Sequence, residues 1–273
     1  MEHLHILTLS WNKCDKLSKL KESLIPALDG IDFTWHIKDN NSLDNTYDVA
    51  KAWGSNINVI KYKDNNQNFS EGMNYLFDQA KPKDEDLILL LNNDIVFSDT
   101  TSIKKMISHL KDDIGVVGAK LLFTGSNRLQ HAGVVFHSNG LPVHFRRYEA
   151  DDDNASKNRL FQAITGAVML LRAKDYKLIC QTNKSGINGL CEELVWCFDD
   201  IDACLAIKEK TGKKILYCGE TKIFHEESAS LKSNPINKLY MQHNVSFFIA
   251  KWNNKYSVDI SKYIENNKYN LYK

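Results

Sequence analysis

Asp86-Leu87-Ile88-Leu89-Leu90-Leu91-Asn92-Asn93-Asp94 is the stretch on which the fold turns. Its aliphatic run is far shorter than the roughly 20 residues a membrane span requires. It also lacks the polar alternation of a strand with one face in water. Such a run suits a strand over residues 86–91 that is buried on both faces, as strands of parallel sheets are. The run stops abruptly in two amides and a carboxylate.

The same grammar continues upstream. Residues 5–11, 33–37 and 58–62 are short, apolar and β-leaning. Between them lie helical spacings: 15–27, with Leu17, Leu20, Leu24 and Ala27 in register, then 44–53, then 71–80. Downstream, Ser98 or Asp99 stands where it would cap a helix reaching Leu110. Strands alternating with helices predict an open, largely parallel α/β sheet. Ligands of such sheets gather beyond the carboxyl ends of the strands. Two predicted strands end in polar clusters, Lys38-Asp39-Asn40-Asn41-Ser42 and Asn92-Asn93-Asp94, and both are candidate sites for that reason.

The second half is less regular. Residues 115–123 and 133–136 read as strands, and the polar stretch 137–158 as a loop. Residues 163–172 are apolar with a break at Thr165-Gly166. A helix is predicted over 199–210, a short strand over 215–218 ahead of Phe224-His225, and a helix over 235–252. No internal repeat and no linker divides the chain. The expectation is one domain over 1–253 and a C-terminal tail over 254–273.

Composition narrows the classes. Of 273 residues, 35 are basic and 34 acidic, so no global field points to nucleic acid as a partner. With 25% charged and 43% hydrophobic residues, the chain is not disordered, collagenous or disulfide-dense. Six cysteines form no CxxC pair, and the spacing of Cys191, Cys197 and Cys204 matches no zinc module. Reduced thiols in or near the core are expected. Residues 1–11 have neither the basic leader nor the apolar segment of a signal peptide. A cytoplasmic protein without a transmembrane span is therefore expected. In the tail, Trp252, Tyr256, Tyr263, Tyr269 and Tyr272 alternate with Lys251, Lys255, Lys262, Lys268 and Lys273. That mixture is found on peripheral membrane surfaces and on solvated tails partly packed against a domain. The oligomeric state is left open.

Four motifs carry chemistry. Asn92-Asn93-Asp94 delivers one carboxylate and two amides to a strand end, a set that suits a hard cation shared with phosphate oxygens; it would equally form an Asx turn. Asp199, Asp200 and Asp202 cluster at a predicted helix start. They would cap the dipole, or raise one another's affinity for a proton as a general base requires. Phe224-His225-Glu226-Glu227-Ser228 lacks the second histidine of a zinc protease, which leaves His225 as a candidate ligand. Asn68-Phe69-Ser70-Glu71-Gly72-Met73-Asn74 is neither a Walker loop nor GxGxxG and reads as a helix start capped by Ser70.

Taken in order, these motifs resemble glycosyltransferase family 2 with the GT-A fold, over roughly residues 4 to 230. The resemblance is carried by Trp11-Asn12, by Asp39-Asn40-Asn41-Ser42-Leu43-Asp44, by the 68–74 segment and by Leu90-Leu91-Asn92-Asn93-Asp94. It continues in Gln130-His131-Ala132-Gly133, Thr165 to Arg172, and Phe198-Asp199-Asp200-Ile201-Asp202, and ends at His225. Departures are a glycine before Phe69 that is replaced by Asn68 or deleted, Asp199 in place of the usual Glu, and two Asn in the metal motif. The nearest look is to rhamnosyl- and galactofuranosyl-type transferases.

The resemblance implies a Rossmann-like, mostly parallel sheet with a smaller acceptor-side region, the nucleotide half at about 1–125 and the acceptor half at about 126–253. It implies inverting transfer of a sugar from a UDP- or dTDP-linked donor to a hydroxyl of a glycan or lipid-linked acceptor, with peripheral membrane contact an option. Asp94 and His225 would hold Mn²⁺ or Mg²⁺. Asp39 would read the base, and Asn12, Asn41, Asn74, Asn92 and Asn93 would line the nucleotide. Asp200 would be the general base. Asp199, Trp196, Thr165 and Gly166 would meet the acceptor or the donor sugar. Two rival classes are weighed. A nucleotidyltransferase is disfavoured because Ser10 to Asp15 contains no glycine; a non-catalytic sugar- or nucleotide-binding module is disfavoured because Asp94, Asp200 and His225 are all present.

Overall fold

Leu4–Ser10, Phe33–Asp39, Ile57–Lys61 and Leu87–Leu91 form strands β1 to β4. They are followed by β5 (Ile95–Phe97), β6 (Ile114–Phe123), β7 (Leu129–His131), β8 (Val134–Phe136), β9 (Pro142–His144), β10 (Arg159–Phe161), β11 (Val168–Arg172) and β12 (Lys214–His225). The helices are α1 (Cys14–Ala27), α2 (Thr46–Lys51), α3 (Phe69–Ala80), α4 (Ser102–His109), α5 (Ala173–Tyr176), α6 (Asp199–Thr211), α7 (Pro235–Trp252) and α8 (Ile260–Ile264). The structure is a computed structural model that describes residues 2–61, 67–195, 197–226 and 235–264.

Ten of the strands make one sheet, ordered β10-β12-β6-β11-β4-β1-β2-β3, with β5 paired to β12 and β7 to β6. β3, β2, β1 and β4 run parallel. β11 enters antiparallel between β4 and β6. The deciding strand, β4, is buried at all its positions. Its residues alternate between two cores, because successive side chains point to opposite faces. Ile88 and Leu90 join Met73 and Leu76 of α3 and Phe248 and Trp252 of α7. Leu87, Leu89 and Leu91 join Leu17, Leu20 and Leu24 of α1 and Ile103 and Met106 of α4. Sandwiched this way, the strand has no polar face to show.

Several local expectations are corrected. Helix α3 is capped by Asn68, whose side chain accepts from the Glu71 N–H while Glu71 reaches back to the Asn68 N–H, and not by Ser70. The stretch 137–158 is not all loop: β9 lies in it and pairs with β8 as a hairpin. The short strand expected over 215–218 is only the start of β12. A register shift between Cys218 and Ile223 lets that strand run on to His225.

The tail is packed on the domain as far as Tyr263. Trp252 and Tyr263 are buried. The Tyr256 hydroxyl donates to the Gly140 carbonyl at 2.7 Å, and Asp259 accepts from the Phe136 N–H at 2.8 Å. Lys268, Tyr269, Tyr272 and Lys273 lie outside the described residues. No helix among the described residues is long and apolar enough to cross a membrane. All six cysteines are free thiols, four of them buried. Of these, Cys218 lies with His109 and Glu220, their ligand atoms within 4.8 Å of one another.

Candidate active site

Four segments meet where β4 ends. Because β11 is antiparallel, its start lies against the end of β4: Val168 is opposite Leu91, and the Asn92 N–H donates to the Ala167 carbonyl at 3.0 Å. That places Thr165-Gly166 beside Asn92-Asn93-Asp94. The end of β12 arrives from the other side, with His225 opposite Ile95 and the Glu226 N–H donating to the Asp94 carbonyl at 3.0 Å. The start of α6 is tied in by the Gly166 N–H, which donates to Asp200 Oδ2 at 2.9 Å. A cavity of about 720 Å³ opens here, lined among others by Asn92, Asp94, Thr165, Asp199, Asp200 and His225.

Asp94 is buried, and its Oδ1 lies 3.1 Å from His225 Nε2. His225 Nδ1 is 2.7 Å from Gln130 Oε1, an acceptor, so the ring proton sits on Nδ1. The Nε2 lone pair therefore faces the Asp94 carboxylate. Two acceptors at this spacing are bridged by a proton or by a cation. Two adjacent ligands about 2.1 Å from an octahedral divalent ion stand roughly 3.0 Å apart, so the pair fits such an ion. Asn92 Nδ2 lies 3.4 Å from the same Nε2.

Asp199 and Asp200 line the same cavity. They follow Phe198, an aromatic residue at φ 72°, in the left-handed region. That conformation costs on the order of 1–2 kcal/mol and persists because Phe198 packs beside Leu194 and Phe248. The Asp200 carboxylate accepts from the backbone N–H groups of Gly166 and Ile201. Burial raises its pKa, and these bonds with the Thr165 hydroxyl pull back. Burial and then the Asp200 charge push Asp199 up to about 8, although backbone hydrogen bonds at Asp199 and Asp200 pull back. Both acids thus hold a proton more readily than free carboxylates, as two buried neighbouring acids must. Gly166 lets α6 approach closely: a Cβ there would stand 3.1 Å from Asp200 Cβ, a tight contact. The third acid is structural. Asp202 is fully buried and accepts from Trp252 Nε1 at 2.7 Å and Lys251 Nζ at 2.6 Å, which anchors α7.

The remaining candidates separate. Asp39, at the end of β2, is fully buried; Oδ2 accepts from the Ser42 N–H, while Oδ1 has no partner among the described residues. Asn12 takes a left-handed φ of 54°. Its N–H donates to Ser42 Oγ and its Oδ1 accepts from the Leu43 N–H, so it clamps the β1 and β2 ends together. Asn93 does the same for β4 and β1, donating to Ser10 Oγ at 3.1 Å. Asn41 is exposed at φ 64°. Asn74 is corrected. It is fully buried, and its amide donates to Leu190 O and Glu192 Oε1 and accepts from the Tyr176 hydroxyl and the Leu190 N–H. That exhausts a side-chain amide, so none of it is left for a nucleotide. Trp196 lies outside the described residues.

Residues that sequence reading passed over also reach the cavity: Gln130, His144 and Arg147. Gln130 stood inside a quoted motif. His144 and Arg147 lay in the stretch read as loop, and only the β8–β9 hairpin brings them in.

This sheet, with acids at its parallel strand ends and an antiparallel strand crossing beside them, is the GT-A glycosyltransferase fold. The chain belongs to glycosyl transferase family 2, which it matches over residues 6–178. It is 26% identical over 207 residues to the O-antigen biosynthesis protein RfbC of Myxococcus xanthus, a match covering 73% of this chain and 15% of that protein. The chain thus spans a small part of that relative. Among solved structures it resembles GalNAc-T7 with UDP, GalNAc and Mn²⁺ (TM-score 0.67, 11% identity, 93% of this chain and 49% of that one). It also resembles the mannosyltransferase PcManGT of Pyrobaculum calidifontis in complex with GDP-Man and Mn²⁺ (TM-score 0.59, 9% identity, 91% and 63%). At these identities the likeness is one of fold.

Proposed function

We propose that the chain transfers a sugar from a nucleotide diphosphate donor to an acceptor hydroxyl, with inversion at the anomeric carbon. The observation that carries this is the meeting, in one cavity, of a cation-type pair (Asp94 and His225) with a proton-accepting pair (Asp199 and Asp200). The donor would be UDP- or dTDP-linked, its base imide N–H meeting the unpartnered Asp39 Oδ1. Asp94 and His225 would hold the ion, and an imidazole in the set favours Mn²⁺ over Mg²⁺. When bound, the ion supplies positive charge for the departing diphosphate. The solved neighbours, in complexes that contain Mn²⁺ with UDP or GDP-Man, support a nucleotide-linked donor and Mn²⁺.

Asp200, its carboxylate held by two backbone N–H groups, takes the acceptor hydroxyl's proton as its oxygen attacks the anomeric carbon. One attack from the face opposite the leaving group inverts the centre and needs no covalent nucleophile. Asp199, beside it in the cavity, would hydrogen-bond the acceptor. Thr165 and Gly166 lie between these acids and the metal pair, where the transferred sugar would sit. The likeness to an O-antigen biosynthesis protein supports a glycan acceptor, free or lipid-linked.

The test is a thermal-shift screen of nucleotide diphosphates and their sugars with and without Mn²⁺ or Mg²⁺. A metal-dependent rise with UDP or dTDP compounds is expected. No shift with any nucleotide from folded protein would refute the donor site. Asp200→Asn should keep that shift and lose turnover about 10²- to 10⁴-fold; retained turnover would refute the assignment of the base.

A further inference from the structure

We infer that His109, Cys218 and Glu220 form a second cation site, of the kind that takes Zn²⁺, which clips the end of α4 to the irregular stretch of β12. None of the three lines the cavity described above, so the inference stands apart from the donor reading.

Convergence comes first. His109 is the last residue of α4. Cys218 and Glu220 flank Gly219 in β12, where the register against β6 shifts between Cys218 and Ile223. Their ligand atoms lie within 4.8 Å of one another, and among the described residues no other three His, Cys, Asp or Glu side chains meet so closely. His109 Nε2 stands 3.2 Å from Glu220 Oε2. Two ligands at about 2.0–2.1 Å from a tetrahedral Zn²⁺ stand roughly 3.3 Å apart, so this edge of the set already has the bonding spacing. A sulfur ligand at about 2.3 Å stands roughly 3.6 Å from its neighbours, so the thiol and its partners close by about an ångström at most. Glu220, half-exposed on a long side chain, has the freedom to do so.

The backbone around the site is held on both sides. Lys105 Nζ, from α4, donates to the Glu220 carbonyl at 3.0 Å, and the Gly219 N–H donates to Asn158 Oδ1 at 2.9 Å. A Cβ on Gly219 would stand 2.6 Å from the carbonyl oxygens of Ala155 and Lys157, so glycine is what lets the strand seat there. With its Oδ1 engaged, Asn158 turns its Nδ2 to His109 Nε2, at 3.1 Å. A ring nitrogen that accepts there carries a lone pair, the form in which histidine binds a metal, and has no proton to share with Glu220. A cation that takes this lone pair displaces the Asn158 amide and meets the Glu220 carboxylate beside it.

The donor set selects the ion. A thiolate, an imidazole and a carboxylate suit Zn²⁺, whereas Mg²⁺ and Ca²⁺ take oxygen ligands. Three protein ligands leave the fourth position to water, on the side where His109 and Glu220 are partly exposed. Burial and then the Glu220 charge push the Cys218 thiol up to about 12, so without a cation it keeps its proton. On binding, the S–H bond gives way to an S–Zn bond and the proton leaves to water.

The test is a Co²⁺ titration of the intact, metal-free chain read by absorption. Four-coordinate Co²⁺ bound to a thiolate gives a near-ultraviolet sulfur-to-metal band, which Asp94 and His225 cannot supply. Wild type should show the band, Zn²⁺ should abolish it by displacement, and Cys218→Ala should lack it. His109→Ala and Glu220→Gln, changes at partly exposed side chains, should each weaken Co²⁺ binding about tenfold or more, at least the cost of losing a partner that only orients a ligand. Zn²⁺ should also raise the melting midpoint of wild type by more than that of His109→Ala. No sulfur band in wild type overturns the inference, and so does a band that survives in Cys218→Ala, which would mean another thiol. A band indifferent to both His109→Ala and Glu220→Gln overturns it as well, since a thiol alone would then hold the ion; these two variants decide the matter if Cys218→Ala fails to fold. Equal midpoint rises in wild type and His109→Ala overturn the clip.

Discussion

Replacing Gln130 with Met separates metal binding from folding. Gln130 is buried, and its Oε1 accepts from His225 Nδ1 at 2.7 Å. Its Nε2 is buried with no partner among the described residues. Met matches the shape of Gln without either polar atom. The variant leaves the mostly buried His225 Nδ1–H without its acceptor, at roughly 1–3 kcal/mol, and sheds an unsatisfied donor group of similar cost. Stability should therefore change little. His225, however, loses the partner that fixes its tautomer and ring angle, and loss of such a partner typically costs about 10- to 100-fold in metal affinity, or 1.4–2.7 kcal/mol. The assay is a Mn²⁺ titration by electron paramagnetic resonance, with saturating nucleotide diphosphate, beside a thermal melt of the free protein. The expected result is weaker Mn²⁺ binding at a nearly unchanged midpoint. Unchanged Mn²⁺ affinity would refute the view that Gln130 presents His225 to an ion, and a midpoint lowered by several degrees would refute the stability argument.

Three more outcomes are expected. Gly166→Ala puts a Cβ 3.1 Å from Asp200 Cβ, so the base must shift; kcat should fall on the order of ten- to a hundredfold with donor affinity unchanged, checked by steady-state kinetics and titration. Asn74→Leu breaks four buried hydrogen bonds and should cost about 2–4 kcal/mol in urea unfolding without weakening nucleotide binding by the folded protein. His36, buried against His5, has its pKa lowered to about 4, chiefly by burial. It is neutral in the fold and protonates more readily in the unfolded chain, so stability is full above about pH 6.5 and is lost as pH falls from there toward 4, by ~3 kcal/mol at the limit. Unfolding free energies across that range should slope accordingly, and His36→Phe should flatten the slope.

Much of the site was legible because its residues stand at strand ends, and strand ends can be read from where apolar runs stop. Asp39 and Asp94 end apolar runs, and Asp200 begins a helix. Asn74 misled for a related reason. It belongs to a motif beside the site, but its helix turns it into the core against Leu190 and Glu192, and no local pattern encodes which face of that helix is buried. The β5, β7, β9 and β10 strands were missed because each is three residues long and exists only through its partner.

By itself the sequence determined the alternation of strands and helices, the buried character of β4 and the identity of the acids, since these follow from periodicity and from where apolar runs break off. Tertiary structure alone decided which of them meet. The antiparallel entry of β11 sets Thr165-Gly166 beside Asp94. The shifted register of β12 carries His225 to Asp94, 131 residues away in sequence. The β8–β9 hairpin lifts His144 and Arg147 out of what reads as loop. Strand order and register are settled by pairing and packing across the whole sheet, and a one-residue slip in β12 would turn His225 to the other face.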